Sequence, residues 1–114
     1  MDAGDYLPLK PNWFHILLSL SEEERHGYAI MQDVLHRTDG RVRLWPTTLY
    51  GALRRMVDAG LIEQSEERPA PDQDDARRVY YRLTGFGQDT LDAECQRLED
   101  MLRAAHATRP GGRT

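Results

Sequence analysis

The stretch TTLYGALRRMVDAGLI, Thr47 to Ile62, decides the fold. Leu49, Leu53, Met56 and Val57 recur at i, i+4, i+7 and i+8, the apolar stripe of a helix with one buried side. Pro46 suits the first turn of that helix and Gly60 its end. The same periodicity turns Thr47, Tyr50, Gly51 and Arg54 to the opposite side, with Arg55 angled toward the flank. An ordinary solvated face would favour Ala, Glu and Lys there. Exposed arginines are commonly just solvated, so the purpose of this face has to come from what surrounds it.

Upstream, Trp13, Phe14, Leu17 and Leu18 share one side of a first helix. Ser21 to Arg25, followed by His26 and Gly27, reads as a turn into a second helix with Tyr28, Ile30, Met31, Val34 and Leu35 as its stripe. That helix ends near Thr38-Asp39-Gly40, where glycine can take a left-handed cap. Downstream of Gly60 the period changes from 3.6 to 2. Ile62, Gln64 and Glu66 alternate in one run, and Val79, Tyr81 and Leu83 alternate with Arg78, Tyr80 and Arg82 in another, the two strands of one hairpin. Arg68 to Ala76 between them, with two prolines and three aspartates, reads as a solvated tip. Thr84 is a credible N-cap for a last helix, where Leu91, Cys95, Leu98 and Leu102 follow a 4-3-4 spacing.

The expected class is therefore mainly α with a small β-hairpin: a winged helix-turn-helix followed by a C-terminal dimerisation helix. Its expected parts are a flexible N-terminal arm over 1–11, the winged unit over 12–83, the last helix over 84–107 and a disordered tail over 108–114. At 114 residues the chain has material for one core. With 39% hydrophobic residues and no apolar run near ~18 residues, it reads as soluble and cytoplasmic, with no membrane association. The apolar block Trp13 to Leu20 lacks the basic leader and cleavage site of a signal peptide. A single cysteine, Cys95, excludes an internal disulfide framework and a cysteine-based zinc site.

No nucleophile–base pair, paired carboxylates or phosphate loop stands out, so an enzyme is not expected, nor a cofactor. His15, His26, His36 and His106 show no metal-ligand spacing, and Gly85-Phe86-Gly87 lacks the third glycine of a nucleotide loop. The formal charge of −4 argues against a nucleic-acid partner, but it is unevenly spread. Residues 31–60 hold five arginines against three aspartates, whereas residues 1–30 hold five acids and two bases. What matters for duplex DNA is a local patch.

Four blocks sharpen the reading: His26-Gly27-Tyr28-Ala29-Ile30, Thr48-Leu49-Tyr50-Gly51-Ala52-Leu53, Ala59-Gly60-Leu61-Ile62-Glu63 and Tyr80-Tyr81-Arg82-Leu83-Thr84. In that order and spacing they resemble the PadR family of bacterial transcriptional regulators, over residues 12–106. With one helix after the wing, the chain looks like the short subfamily. The resemblance implies a dimeric repressor of a pseudo-palindromic operator, released in some members by an aromatic effector.

On this reading double-stranded DNA meets Thr47, Thr48, Tyr50, Gly51, Arg54 and Arg55, with Arg77 and Arg78 at the wing base on its backbone. Arg54 offers a fork to guanine or a clamp to phosphate, and the unpaired N–H groups at the helix start favour phosphate. Asp72, Asp74 and Asp75 at the tip would be repelled by DNA. A homodimer would bury Trp13, Phe14, Leu17, Leu91, Cys95, Leu98 and Leu102, unless the two outer helices pack only within their own protomer. Trp13 and Phe14 are either interface core or, if the resemblance extends so far, walls for a small planar effector. The competing reading is a winged helix that binds protein without sequence-specific DNA contact.

Overall fold

The apolar stripes meet around one core. The computed structural model of the chain describes residues 2–69 and 77–108. In chain order it has a 3-10 turn at Ala3–Tyr6, α1 at Pro11–Glu22, β1 at Arg25–His26, α2 at Gly27–Arg37, α3 at Pro46–Asp58, β2 at Ile62–Pro69, β3 at Arg77–Leu83 and α4 at Gly85–Thr108. Ile16 and Leu17 of α1, Ile30 and Val34 of α2, Leu49, Leu53 and Met56 of α3, then Leu61, Ile62, Tyr81 and Leu91, are buried against one another. Truncating such residues to alanine typically costs about 2 to 5 kcal/mol, so this cluster dominates stability.

Local chemistry sets the boundaries. After α3, the Gly60 N–H reaches the Val57 carbonyl at 3.0 Å and the Leu61 N–H the Met56 carbonyl at 3.0 Å, a paired closure that needs the positive φ of 80° at Gly60. After α2 the closure differs from the glycine cap expected. Asp39 enters the left-handed region first, at φ 53°, and Gly40 follows at 80°. Asp39 and Gly40 donate to the His36 and Leu35 carbonyls at 3.1 and 2.7 Å. Thr84 joins two elements: its hydroxyl donates to the Gly60 carbonyl at 2.6 Å and accepts the Gly87 N–H at 2.9 Å. The exit of α3 and the start of α4 are thereby tied together.

The hairpin gains a third strand. β1, which reads as part of a turn, pairs antiparallel with β3 through Arg25–Tyr81 and His26–Tyr80, giving the order β1-β3-β2. Two residues carry no periodicity, and their pairing depends on a strand more than fifty positions away. β2 and β3 run from Ile62–Leu83 outward, with a register shift between Gln64 and Glu67. The aspartates of the tip, Asp72, Asp74 and Asp75, lie outside the described residues.

The N-terminal segment is built in, in contrast to a flexible arm over 1–11. Asp2 caps the 3-10 turn, Tyr6 meets Trp13 and Phe86 at ring separations of 6.3 and 6.0 Å, and Leu9 is buried. The Leu9 N–H donates to Glu94 Oε2 at 3.1 Å, and Arg97 closes on the same carboxylate, with Nη2 at 3.0 Å from Oε2. Arg97 and that N–H hold the Glu94 carboxyl below its ordinary range against the opposing effect of burial. A depressed folded pKa means stability that is present above the unfolded value and lost as pH falls through the folded one. Thermal stability is therefore expected to fall steadily below about pH 5, with a shallower acid limb in Glu94→Gln. Parallel acid limbs in the two proteins would contradict this role.

Past Glu94, α4 emerges from the body, and every residue from Leu98 to Thr108 is exposed. No helix among the described residues is long and apolar enough to cross a membrane.

Candidate nucleic-acid interface

α3 presents the face that its periodicity requires. Leu49, Ala52, Leu53 and Met56 are buried, while Thr47, Thr48, Tyr50, Arg54 and Arg55 are exposed. Gly51 lies among them: a Cβ added there meets nothing nearer than Arg55 Nη1 at 3.5 Å, an ordinary contact. No neighbour within the protomer demands glycine at this position. A residue that costs about 1 kcal/mol of helix propensity is thus retained on an open face.

Tyr50 is positioned from behind. Its phenol lies on Gly27, where an added Cβ would come within 2.7 Å of Cζ and 2.8 Å of Cε1. The glycine in the first block quoted above therefore makes room for the tyrosine in the second. Around this contact His26, Gly27, Tyr28, Tyr50, Arg78, Val79 and Tyr81 line an open groove of about 390 Å³ between α2, α3 and the wing. His26 caps α2, its Nδ1 accepting the Ala29 N–H at 3.1 Å, and its Nε2 stands 2.9 Å from Arg78 Nη1. A neutral imidazole has one acceptor nitrogen, so the two contacts compete for it. Burial and then the Arg78 charge push the His26 pKa down, which keeps the ring neutral near pH 7.

The helix pair is clamped at its far side by ions. Arg37 grips Asp33 at 3.1 Å and Glu22 at 2.9 Å, and Arg25 reaches Glu22 at 2.9 Å and Asp33 at 3.7 Å. Burial raises the Asp33 pKa, but the hydrogen bonds from Arg37 and the charges of Arg25 and Arg37 outweigh it and hold the carboxyl below its usual range.

The arginines divide by partner. Arg25, Arg37, Arg82, Arg97 and Arg103 each sit in an ion pair. Among the described residues the side chains of Arg41, Arg43, Arg54 and Arg55 are exposed and make neither an ion pair nor a hydrogen bond. All four fall between Arg41 and Arg55, on the α2–α3 connection and on α3. Among the described residues these four arginines without carboxylate partners thus form a local group in a chain of net charge −4.

Other expected positions divide as well. Arg78 is half-buried at the groove, and Arg77 pairs through its backbone with Pro69, its side chain lying outside the described residues. Trp45 caps α3 with no side-chain hydrogen bond and is 64% exposed, so the indole does not fold back on the core. Leu17 and Leu91, expected at a subunit contact, are core residues of the protomer and have no surface to offer a partner. Leu98 and Leu102 are exposed, joined by Met101, and Trp13, Phe14 and Cys95 are half-buried. Burial, followed by Asp92, Glu99 and Glu94, pushes the Cys95 thiol pKa up, so it is not a reactive thiolate. Tyr28, Arg41 and Arg43 were absent from the expected site; only the charge count over residues 31–60 pointed toward the two arginines.

Residues 16–93 match the model of the transcriptional regulator PadR-like family. The chain belongs to that family. A Lysinibacillus sphaericus protein known as Uncharacterized protein X is 32% identical over 76 residues, 67% of each chain. A transcriptional regulator from Clostridium thermocellum is 27% identical with a TM-score of 0.69, over 84% of this chain and 87% of that one. A PadR family transcription regulator from Clostridium difficile is 26% identical with a TM-score of 0.68, over 83% and 94%. Bacillus subtilis PadR, solved in complex with operator DNA, shares the fold at a TM-score of 0.64 and 21% identity, over 75% of this chain and 47% of that one. The helix pair and wing described above are thus this chain's form of the PadR-like fold.

Proposed function

We propose that the protein is a dimeric repressor that binds a pseudo-palindromic operator, with α3 in the major groove and the wing on the flanking backbone. The observation that carries this is the grouping of Arg41, Arg43, Arg54 and Arg55, without carboxylate partners, on and beside α3, whose polar face is open. The Bacillus subtilis relative's complex with operator DNA supports the same use of the fold. Arg54 reads a base edge or clamps phosphate, Tyr50, Thr47 and Thr48 offer hydroxyl donors, Gly51 lets the backbone approach, and Arg55, Arg77 and Arg78 meet the backbone.

Dimerisation uses the exposed Leu98, Met101 and Leu102 of α4 together with Trp13 and Phe14, and sets two α3 helices about 34 to 36 Å apart. Sedimentation is expected to give a dimer at micromolar concentration and a monomer for Leu98→Glu/Leu102→Glu. A monomeric wild type would overturn this part. Trp13 and Phe14 are first of all interface core. They also provide the aromatic wall that a planar effector needs, and quenching of Trp fluorescence by planar compounds tests it.

Arg54→Ala is expected to cost ~1 to 3 kcal/mol of operator affinity and to relax sequence preference, whereas Arg55→Ala weakens binding evenly across sequences. Fluorescence anisotropy on a selected operator measures both. Variants that bind like the wild type would remove the assignment and favour the protein-binding reading.

A further inference from the structure

Two groups of large apolar side chains are exposed among the described residues. Leu98, Met101 and Leu102 on α4 belong to the subunit contact proposed above. The other group is aromatic: Trp45 at 64%, Tyr28 at 55% and Tyr50 at 43% exposure. These three lie on one continuous surface, because Tyr28 lines both the groove that holds Tyr50 and a second cleft of about 160 Å³ that holds Trp45, Arg43, Leu44 and Pro46. The Arg43 guanidinium stacks on the Trp45 ring with Cζ 5.3 Å from its centroid.

Among the described residues the Arg43 guanidinium lies over one face of this indole, and most of its apolar surface is still left to water, which is unfavourable unless a partner covers it. Nor does Trp45 serve its local position. It occupies the N-cap of α3, where Ser, Thr, Asp or Asn would accept an N–H, and it makes no side-chain cap bond. Its stacking partner is one of the four unpaired arginines, and Arg41 stands two residues earlier on the same connection. The occupant must therefore be anionic and must present a flat or apolar edge as well.

We propose that Arg43 and Trp45 form a second DNA-contacting element at the entrance of α3, reading duplex beyond the bases met by Tyr50 and Arg54. Arg43, oriented by the indole beneath it, engages a backbone phosphate, and Trp45 packs against the sugar edge or a thymine methyl of the adjoining nucleotide. Tyr28, between Trp45 and Tyr50, fills the space over the intervening backbone. This inference rests on the DNA reading of α3 and extends the footprint toward the α2–α3 connection.

The test titrates the full-length protein with a selected operator duplex and isolates the Trp45 signal as the difference in emission between wild type and Trp45→Phe. Binding should change the Trp45 emission in step with anisotropy of labelled DNA. Trp45→Ala should lower affinity tenfold or more, and Arg43→Ala should reduce the magnitude of the log K against log salt slope by about one per protomer. Circular dichroism melts of both variants check that α3 still forms. Arg43→Gln, which keeps stem and planar head without the charge, should lose the same slope. Folded Trp45→Ala and Arg43→Ala proteins that match wild-type affinity and slope, on a duplex where Arg54→Ala is weakened, would overturn this element alone. A wild type with no affinity for any duplex would instead remove the DNA reading beneath it.

Discussion

Raising salt from 50 to 200 mM should weaken operator binding by ~10³ to 10⁵-fold, the largest effect expected of this protein. Neutralising a phosphate releases condensed counterions, and the slope of log K against log salt approaches −0.9 per contact on B-DNA. Each protomer offers Arg41, Arg43, Arg54 and Arg55 without carboxylate partners among the described residues, and a two-fold dimer doubles the set. That number falls within the ~6 to 10 phosphate contacts that such a slope requires. The ion-paired Arg25 and Arg37 stay with Asp33 and Glu22 and release nothing. Their substitution should lower thermal stability while leaving the slope in place. A winged helix that binds protein through an apolar surface would give a nearly flat salt dependence, so a slope shallower than about −2 contradicts the DNA reading.

The second large effect is on stability. Gly87→Ala is expected to cost about 3 kcal/mol and to lower the melting temperature by roughly 10 °C. An added Cβ would overlap the Leu61 carbonyl oxygen, approach the Leu61 carbonyl carbon at 3.0 Å and meet Leu83 Cδ1 at 3.0 Å. Leu61 is fully buried, its carbonyl accepts the Thr84 N–H, and it cannot retreat without opening the junction of α3, β3 and α4. Gly27→Ala makes the useful contrast. There the obstacle is the Tyr50 phenol, a side chain that can swing away, so the fold should survive while operator binding declines. Differential scanning calorimetry and anisotropy on the two variants separate them, and a Gly87→Ala melt within 2 °C of wild type would contradict the packing account.

The helices were legible because each is a stripe at period 3.6 closed by Pro, Gly or Thr. α3 was plainest, with Pro46 at its first turn, Gly60 at its exit and four apolar positions between. The polar face followed from that stripe, which is why Tyr50 and Arg54 could be named. Contacts between elements distant in the chain were not legible. Leu17, on the stripe of the first helix, and Leu91, at the start of the 4-3-4 seam, read as subunit contacts, yet both fill the protomer core, since a periodic stripe says which side is buried and not what buries it. Glu94 reads as a solvated helix acid, but its partner is an N–H 85 positions earlier. Gly27 and Gly87 resemble loop and motif glycines, whereas each accommodates a close approach by a residue of another element. Which arginines are unpaired depends on where Glu22, Asp33, Glu63 and Glu94 come to rest.

The exposed side of α3 as a surface for duplex DNA is tested most directly by selecting bound sequences from a random duplex pool with the full-length protein at about 100 mM salt. The expected result is a two-fold symmetric motif whose half-sites are centred about 10 base pairs apart. A pool that stays unenriched through repeated rounds, or that yields an asymmetric motif retained unchanged by Arg54→Ala, would contradict it.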